Sequence, residues 1–447
     1  MNTDRRSRLG VATPLFAAAA LWLAVAWLGR QEAAWAIRLT SPACVVALCG
    51  TYIAFWAFVI ARSREPRRAM FRALAITASA LVGVLVLEAP AVAGIIDYSR
   101  IRGALTGEWD GPADDFVEDH ALSFKRPPHA RWSGWPRSNM AQSFNLPLRS
   151  TYRQTFSTDS RGFRNSTDMD RADVVLLGDS YVEGAYISDE ETAAVRLHEL
   201  TGQRVANLGV SGYGPQQELR ILETYALPLK PHLVAWFFFE GNDFDDDQGY
   251  ENAMAYEHGV PAPPAPAESR GMRWRALLNR SLTLNAFMQL RQLLDPIVPN
   301  AVDSVGWFRD RNGLSHRFYF YDFYATRELG EYERARFESA KATFRRANEI
   351  CRKQGVKLVV FYVPIKFRVY GSLCTFPPGS PCATWHPWDL ESQFAAFCRE
   401  AGIQYVSVTA AMQAAAAAGD VVYAPEDSHW NAAGHKLVAR LIRDVDR

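Results

Sequence analysis

From residue 172 onward, short apolar runs alternate along the chain with segments of helical periodicity. The apolar runs contain mainly Val, Leu and Phe, and they span 173–177, 204–208, 233–239, 357–363 and 404–407. The segments between them repeat apolar residues three or four positions apart, and they span 190–201, 215–226, 331–354, 388–401 and 432–445. Continuous apolar runs of this length are typical of buried parallel strands, and their alternation with helices indicates a sheet covered on both faces. The pattern predicts an α/β domain over residues 171–447.

One long segment, residues 244–330, interrupts this alternation directly after the apolar run 233–239. It contains the breaker run 261–266, with four prolines, and a helical pattern over 273–294. Because the segment leaves the carboxyl end of a strand, it would overhang any site there. A lid, a partner surface and a helix lying on a membrane are open alternatives, although packing against the domain is the more common role of such apolar positions.

The first 96 residues have a different pattern, with three long and nearly uncharged apolar stretches. These stretches cover about 11–28, 39–61 and 69–87. Each approaches the ~20 residues that cross a bilayer as a helix, so residues 1–96 are expected to form a membrane domain with three transmembrane helices. A cleaved signal peptide is the alternative for the first stretch, but the two further stretches favour a retained helix.

The distribution of arginine predicts how these helices are oriented. Residues 1–96 contain ten Arg, no Lys and four acidic residues, although the whole chain of 447 residues has a formal net charge of only +1. Seven of these arginines predict the orientation: Arg5, Arg6 and Arg8 precede the first stretch, and Arg62, Arg64, Arg67 and Arg68 lie between the second and third, so both segments are expected in the cytoplasm. The chain is therefore expected to be a multi-pass protein of the bacterial inner (cytoplasmic) membrane, with a cytoplasmic N-terminus. Residues 97–170 form an extracytoplasmic arm and residues 171–447 a periplasmic domain.

Composition excludes several other classes of protein and of cofactor. The small net charge argues against a nucleic-acid partner, and no Cys or His spacing suggests a metal site. The acidic run 243–247 does not fit a calcium loop, because Gln248 and Met254 stand where that loop needs Gly and Glu, so a solvated loop is expected. No cofactor is predicted. In an oxidising compartment a local disulfide between Cys374 and Cys382 is expected, and a second between Cys351 and Cys398 is an open alternative.

Four clusters of small and polar residues follow the predicted strands or precede the last helix. They are Gly178-Asp179-Ser180, Asn207 to Gly214, Gly241-Asn242-Asp243 and Glu426-Asp427-Ser428-His429. Each alone is as readily a turn or a helix cap as a site. Because α/β folds bind ligands at the carboxyl edge of the sheet, four clusters at that edge indicate one site containing a serine, a histidine and a carboxylate.

These clusters resemble the four sequence blocks of the SGNH (GDSL-type) hydrolase superfamily, whose members this chain would join as a membrane-anchored form. The resemblance covers roughly residues 170–445 without the insertion 244–330. It implies a flavodoxin-like three-layer α/β/α sandwich with a parallel sheet.

The resemblance also implies roles for individual residues. Ser180 would be the nucleophile and His429 the general base, while the backbone N–H groups of Ser180 and Gly212 and the side chain of Asn242 would form the oxyanion hole. The commonest family pattern places the orienting Asp three residues before the His, where this chain has Glu426. Some membrane-linked members, including those resembling alginate-type O-acetyltransferases, use the shorter spacing of Asp427. We expect Asp427 to orient His429, with Glu426 as the alternative.

The predicted function is that of a membrane-anchored, extracytoplasmic serine esterase that forms an acyl-enzyme. Its substrate would be an acylated carbohydrate, another cell-envelope component or a lipid, with O-acyl or acetyl esters as the bonds cleaved. Transfer of the acyl group to a polysaccharide hydroxyl is the alternative, and it would need a membrane acyl-donor partner. A non-catalytic glycan-binding or assembly protein is an alternative of another class.

Overall fold

The computed structural model describes residues 42–98, 101, 116–136, 138–140, 150, 152–257, 280–287 and 304–447. The chain divides into two compact units. One comprises residues 1–105 with 267–301, and the other comprises residues 106–266 with 302–447. The insertion predicted over 244–330 is therefore shared between the two units.

The first unit contains two long apolar helices, α1 (Pro42–Arg62) and α2 (Pro66–Val92). Within the described residues, α2 is the one helix long and apolar enough to cross a membrane, since the apolar stretch Ala47–Arg62 is shorter. The first predicted span, 11–28, lies outside the described residues. The prediction of three transmembrane helices is therefore supported for its third member alone.

The described piece of the 273–294 helical pattern belongs to this first unit. Residues 282–287 are helical, and their first turn is capped by Glu88 of α2. The Glu88 carboxylate accepts hydrogen bonds from Ser281 Oγ at 3.0 Å, from Leu282 N at 3.1 Å and from Thr283 N at 2.6 Å. A carboxylate at a helix N-terminus satisfies amide groups that have no partner within the helix.

The described residues of the second unit form eleven strands, which we number in chain order. They are β1 (Val117–Asp119), β2 (Ser123–Lys125), β3 (Arg131–Gly134), β4 (Gln154–Ser157), β5 (Val174–Leu177), β6 (Val205–Asn207), β7 (Leu233–Phe239), β8 (Val305–Arg309), β9 (Ser315–Tyr319), β10 (Lys357–Val363) and β11 (Gln404–Ser407). Its α-helices are α3 (Ser180–Glu183), α4 (Ala193–Thr201), α5 (Pro215–Ile221), α6 (Asp243–Glu257), α7 (Glu331–Lys353), α8 (Lys366–Tyr370), α9 (Leu390–Glu400), α10 (Val408–Ala417) and α11 (Ala432–Asp446).

Five of these strands form one parallel sheet in the order β11-β10-β7-β5-β6. If these five strands are renumbered 1 to 5 along the chain and read from the β6 edge, the order is 2-1-3-4-5, which is the flavodoxin-like arrangement. The order in which successive strands are added to the sheet reverses between β5 and β7. These two strands are parallel, with Val174 paired with Leu233 and Leu177 with Trp236. Ligands bind outside the carboxyl ends of the strands at such a switch point, so the topology locates the crevice after β5, β6 and β7.

Helices cover both faces of this sheet because successive residues of a strand point to opposite sides. Phe238 packs against Phe344 of α7 and stacks on Phe394 of α9, with ring centroids 6.0 Å and 4.6 Å away. Its neighbour Phe237 faces Trp430, just before α11, at 6.3 Å. All seven residues of β7 are buried. The structure therefore has the predicted α/β architecture with a five-stranded parallel sheet.

The predicted strands and helices agree closely in position with the observed ones, and the exceptions have physical causes. The acidic run 243–247, expected to be a solvated loop, is instead the first turn of α6. Two of its carboxylates bind neighbouring elements, since Asp243 Oδ2 accepts from Phe239 N of β7 at 2.9 Å and Asp247 Oδ1 accepts from Gln216 N of α5 at 2.8 Å. Acidic side chains near a helix N-terminus are favourable. Helix α10, in an alanine-rich stretch, was not predicted at all.

Within the second unit, the arm before β5 is held on the sheet domain by several contacts. Tyr213 OH donates to the backbone oxygen of Phe124, and Gln217 Nε2 donates to the backbone oxygen of Leu122 at 2.8 Å. Further along the arm, Ser157 Oγ donates to Asp189 Oδ2 at 2.8 Å. Residues 116–136 and 152–165 therefore contact the sheet domain through elements that follow β5 and β6.

Five cysteines are free thiols in the described part of the chain, namely Cys49, Cys351, Cys374, Cys382 and Cys398. The expected disulfide between Cys374 and Cys382 is not formed, and neither is the alternative between Cys351 and Cys398. Burial raises the pKa of the Cys374 thiol to about 12 and that of the Cys382 thiol to about 11, which keeps both protonated.

Truncation of Phe238 tests the packing of the central strand. Phe238→Ala removes a fully buried ring that contacts helices α7 and α9, and such losses cost about 3–5 kcal/mol of unfolding free energy. Urea denaturation of the full-length chain, followed by circular dichroism, should show this loss. Leu314→Ala, in an exposed turn, is the control and should change the unfolding free energy by less than about 0.5 kcal/mol. Equal effects of the two substitutions would contradict the assigned core.

Candidate active site

Strand β5 ends in a tight turn that presents Ser180 at the carboxyl edge of the sheet. Gly178 is required there because a Cβ atom would lie 2.6 Å from Val182 Cγ2 and 3.2 Å from Phe237 Cβ. Asp179 caps the short helix α3, since its Oδ1 accepts from Tyr181 N at 2.9 Å. Ser180 is the first residue of that helix, and its hydroxyl faces the crevice rather than capping the helix.

The structure brings Ser180, His429 and Asp427 into one hydrogen-bonded series. Ser180 Oγ lies 2.8 Å from His429 Nε2, and His429 Nδ1 lies 2.6 Å from Asp427 Oδ1. Asp427 Oδ1 also accepts from the backbone N–H of His429 at 3.0 Å. Because an ionised carboxylate only accepts hydrogen bonds, Nδ1 carries the imidazole proton and Nε2 is free to accept the serine hydroxyl.

The surroundings of His429 and Asp427 shift their pKa values in opposite directions. Burial by itself lowers the pKa of His429, but the Asp427 carboxylate outweighs it, so the pKa of His429 is raised above its ordinary value. Burial raises the pKa of Asp427, but the His429 ring and three donated hydrogen bonds outweigh it, so the pKa of Asp427 is lowered. Asp427 therefore stabilises the imidazolium that forms whenever His429 takes up a proton.

The neighbouring carboxylate, Glu426, is used elsewhere. Its Oε1 accepts a hydrogen bond from Tyr186 OH at 2.9 Å, and it makes no hydrogen bond to His429 within the described part of the chain. Asp427 is 2% exposed at its side chain, whereas Glu426 is half-buried at the surface of the loop. Of the two candidates considered from the sequence, Asp427 is thus the one in contact with the imidazole.

The loop after β6 lies next to Ser180, as expected for Gly212. Val210 N donates to the backbone oxygen of Gly178 at 3.1 Å, which ties this loop to the serine turn. Gly212 has a φ of +81°, in the left-handed region that favours glycine. Among the described residues, no acceptor is bonded to the backbone N–H of Ser180 or of Gly212. Both groups are available to a ligand oxygen.

Asn242, the third expected donor, follows β7 at the same edge of the sheet. Its Nδ2 atom donates to Asp246 Oδ2 at 2.6 Å, so one of its two amide hydrogens is engaged within helix α6. Donation to an oxyanion would use the second hydrogen of that amide.

Three features of the site were not found from the sequence. The first is Lys366, a buried residue whose Nζ donates to the backbone oxygens of Ala424 and Pro425 at 3.0 Å each and of Asp427 at 2.6 Å. Burial lowers the pKa of Lys366 to about 7, although the Asp427 and Glu426 carboxylates oppose that change. The available signal was a lysine just after an apolar strand.

The second feature is a buried ion pair next to the loop that contains Ser211 and Gly212. Glu183 of α3 accepts from Arg126 Nε at 2.8 Å and from a second nitrogen of the same guanidinium at 2.9 Å. The Glu183 carboxylate also accepts the hydroxyl and the backbone N–H of Ser211, directly before Gly212. Glu183 lies three residues after Ser180, so this cluster links the serine helix to the loop of Gly212.

The third feature is Asn139 of the arm, which contacts Asp427. It belongs to a segment without any periodic signal in the sequence.

We found no arrangement of three or more His, Cys, Asp or Glu side chains that could hold a metal ion in the described residues.

The pKa of His429 tests which carboxylate orients it. Nuclear magnetic resonance of the full-length chain labelled at its nine histidines, with His429→Gln for assignment, measures that pKa. Asp427→Asn should lower the pKa of His429 because it removes the charge that stabilises the imidazolium. Glu426→Gln should leave it nearly unchanged, since Glu426 is bonded to Tyr186. A larger shift in the Glu426 variant would reverse the assignment.

Comparisons with solved structures found several chains that match at low identity and low TM-score. An acetyl xylan esterase from Geobacillus stearothermophilus is 12% identical, with a TM-score of 0.31, and the match covers 62% of this chain and 96% of that one. A putative lipolytic protein of the G-D-S-L family from Desulfitobacterium hafniense is 12% identical, with a TM-score of 0.31 and coverage of 61% and 98%. A lipase/acylhydrolase from Enterococcus faecalis is 14% identical, with a TM-score of 0.30 and coverage of 61% and 94%.

No curated protein sequence matches this chain. Residues 320–445 match the sequence model of the family described as the SGNH hydrolase-like domain of the acetyltransferase AlgX. The expectation of an enzyme, either an ester hydrolase or an O-acyltransferase, is confirmed at that level. The resemblance to the SGNH hydrolases is confirmed at the level of this domain match, which contains the last of the four sequence blocks, and the match does not establish membrane anchoring.

Proposed function

We propose that this protein is a serine esterase that cleaves O-acyl esters through an acyl-enzyme on Ser180. The observation that carries the proposal is the hydrogen-bonded series of Ser180, His429 and Asp427, with 2.8 Å and 2.6 Å between the bonded atoms. An activated serine needs a base within hydrogen-bond reach and a third group that orients the base. Both conditions are met at the carboxyl edge of the sheet.

The reaction begins with attack of Ser180 Oγ on the ester carbonyl carbon. His429 Nε2 takes the hydroxyl proton, and the imidazolium formed is stabilised by the Asp427 carboxylate. The tetrahedral intermediate then collapses, the bond to the alcohol oxygen breaks, and His429 returns the proton to the leaving alcohol. A water molecule deprotonated by His429 attacks the acyl-enzyme, which releases the carboxylic acid and restores Ser180.

The negative oxygen of the intermediate would be held by three donors. These are the backbone N–H groups of Ser180 and Gly212 and the free amide hydrogen of Asn242, the set implied by the family resemblance. Loss of one such donor typically lowers the rate by about 10²–10³. The cluster of Arg126, Glu183 and Ser211 supports the Gly212 loop from below, which keeps the donors in place before substrate binds.

An acetylated carbohydrate is the substrate class that we favour. The description of the matched family names an acetyltransferase, AlgX. Acetyl is therefore the first acyl group to test. Because the nucleophile and base act on any ester carbonyl, the acyl chain and the alcohol are selected by the walls of the crevice.

A second candidate function is O-acetyl transfer to a glycan hydroxyl from the same acyl-enzyme. The match of residues 320–445 to an acetyltransferase-related domain favours it. The sugar hydroxyl would replace water in the second half of the reaction, with His429 as its base. This route needs an acyl donor at the membrane and exclusion of water from the acyl-enzyme.

We further propose that α2 anchors the protein to a membrane. Supporting this, the helix has 27 residues, and many of its apolar side chains are exposed, such as Phe71 at 73% and Leu85 at 68%. The arginines before it, in the 62–68 segment, favour a cytoplasmic start, which would place the domain on the extracytoplasmic side.

Removal of the nucleophile tests the proposed chemistry. Ser180→Ala in the full-length chain should lower hydrolysis of a short-chain nitrophenyl ester by at least about 10³-fold, because no acyl-enzyme can form. Ser392→Ala, an exposed serine on α9, is the matched control and should retain the wild-type rate. Hydrolysis that persists in the Ser180 variant would refute the assignment.

The fate of the acyl group separates the two candidate functions. The wild-type chain is incubated with a labelled nitrophenyl acetate and a series of glycans, and the products are separated. An esterase releases labelled acetate whether or not a glycan is present, whereas a transferase labels the glycan. We expect labelled acetate, and glycan labelling that depends on Ser180 would instead establish the second candidate.

A further inference from the structure

The arm preceding the sheet domain contacts the site at Asn139. The backbone N–H of Asn139 donates to Asp427 Oδ2 at 2.7 Å. Its side chain binds the next residue twice, because Oδ1 accepts from Ser428 N at 3.0 Å and Nδ2 donates to Ser428 Oγ. Three hydrogen bonds thus join one arm residue to the two residues directly before His429.

The bond to Asp427 completes the surroundings of a buried carboxylate. Both donors to Oδ1 come from His429 itself, through its ring and its backbone N–H. The donor to Oδ2 comes from Asn139, which lies 288 positions away in the sequence. A buried carboxylate oxygen without a donor is costly, so the orientation of Asp427 depends on the arm.

The loop bearing Asp427 is held from several directions. Lys366 binds its backbone oxygens from within the sheet domain, and Tyr181 OH donates to the backbone oxygen of Ser428 at 2.8 Å. Asn139 binds the same loop from the side of the arm. We propose that Asn139 is a positioning residue for the Asp427–His429 pair, so that the arm completes the active site. This inference rests on the proposed function of that pair.

A purely structural role, in which Asn139 fastens the arm to the domain, is the competing explanation. The arm has independent attachments, among them the buried Arg126–Glu183 ion pair and the Ser157–Asp189 hydrogen bond. Removing one partly exposed side chain therefore leaves the arm attached. Its effect falls on the Asp427–Ser428 segment, and through it on the imidazole.

Asn139→Ala in the full-length chain tests the proposal. The substitution removes both side-chain bonds to Ser428 and keeps the backbone N–H of residue 139, so it acts on Asp427 by releasing the Asp427–Ser428 segment from the arm. With nitrophenyl acetate, kcat should fall by about tenfold to a hundredfold, because small displacements of catalytic groups have effects of that size. KM should stay within about twofold, since Asn139 does not touch the substrate. The acid limb of the pH–rate profile should move to lower pH, because a loosened Asp427 raises the pKa of His429 less. Ser133→Ala, an exposed arm residue, is the matched control and should match wild type.

Two further measurements keep the test decisive. Ser428→Ala removes one of the three bonds and should reduce kcat less than Asn139→Ala, and the double variant should show less than the product of both effects. The pKa of His429, measured by nuclear magnetic resonance, should fall in Asn139→Ala whether or not the ester is turned over. Wild-type kcat with an unchanged pKa of His429 would overturn the proposal. If the wild-type chain does not hydrolyse the ester but the pKa of His429 still falls in Asn139→Ala, the result would count against the proposed function alone.

Discussion

The chemistry of this site depends on keeping one carboxylate ionised inside the protein. Asp427 is almost fully buried, and a buried charge is tolerated only when hydrogen bonds and an opposite charge compensate for lost water. His429 supplies two donors to one oxygen, and Asn139 supplies one to the other. The compensation has a direct consequence, because the same carboxylate fixes the imidazole tautomer and leaves Nε2 facing Ser180.

Sheet topology explains how residues distant in sequence reach this carboxylate. The strand order reverses between β5 and β7, so the loops that follow β5, β6 and β7 open onto one crevice. Ser180, Gly212 and Asn242 lie on these three loops. The loop of Asp427 reaches the same edge from the end of the chain, where Lys366 binds its backbone oxygens. The polar residues of the site are therefore positioned by the apolar sheet beneath them.

Much of this could be predicted from the sequence, because the informative signals are local. The runs Val174–Leu177 and Leu233–Phe239 are continuous apolar strands, and small polar clusters end both. Signals failed where tertiary contacts decide the outcome. The acidic run after β7 is helical and not a solvated loop, and two of its carboxylates are buried against backbone N–H groups of β7 and α5. The expected disulfide between Cys374 and Cys382 is absent. Asn139 left no trace in the sequence, because its partners lie 288 and 289 positions away. Of the three predicted membrane spans, one is supported within the described residues, the helix α2.

The most direct test of the account is covalent trapping of the nucleophile. The full-length chain is treated with an alkyl fluorophosphonate, which reacts with serines activated by a neighbouring base, and its peptides are analysed by mass spectrometry. If His429 activates Ser180, we expect one phosphonyl group per chain, on the peptide containing Ser180, and no labelling in a His429→Gln variant. Labelling of another serine, or equal labelling of Ser180 without His429, would contradict it.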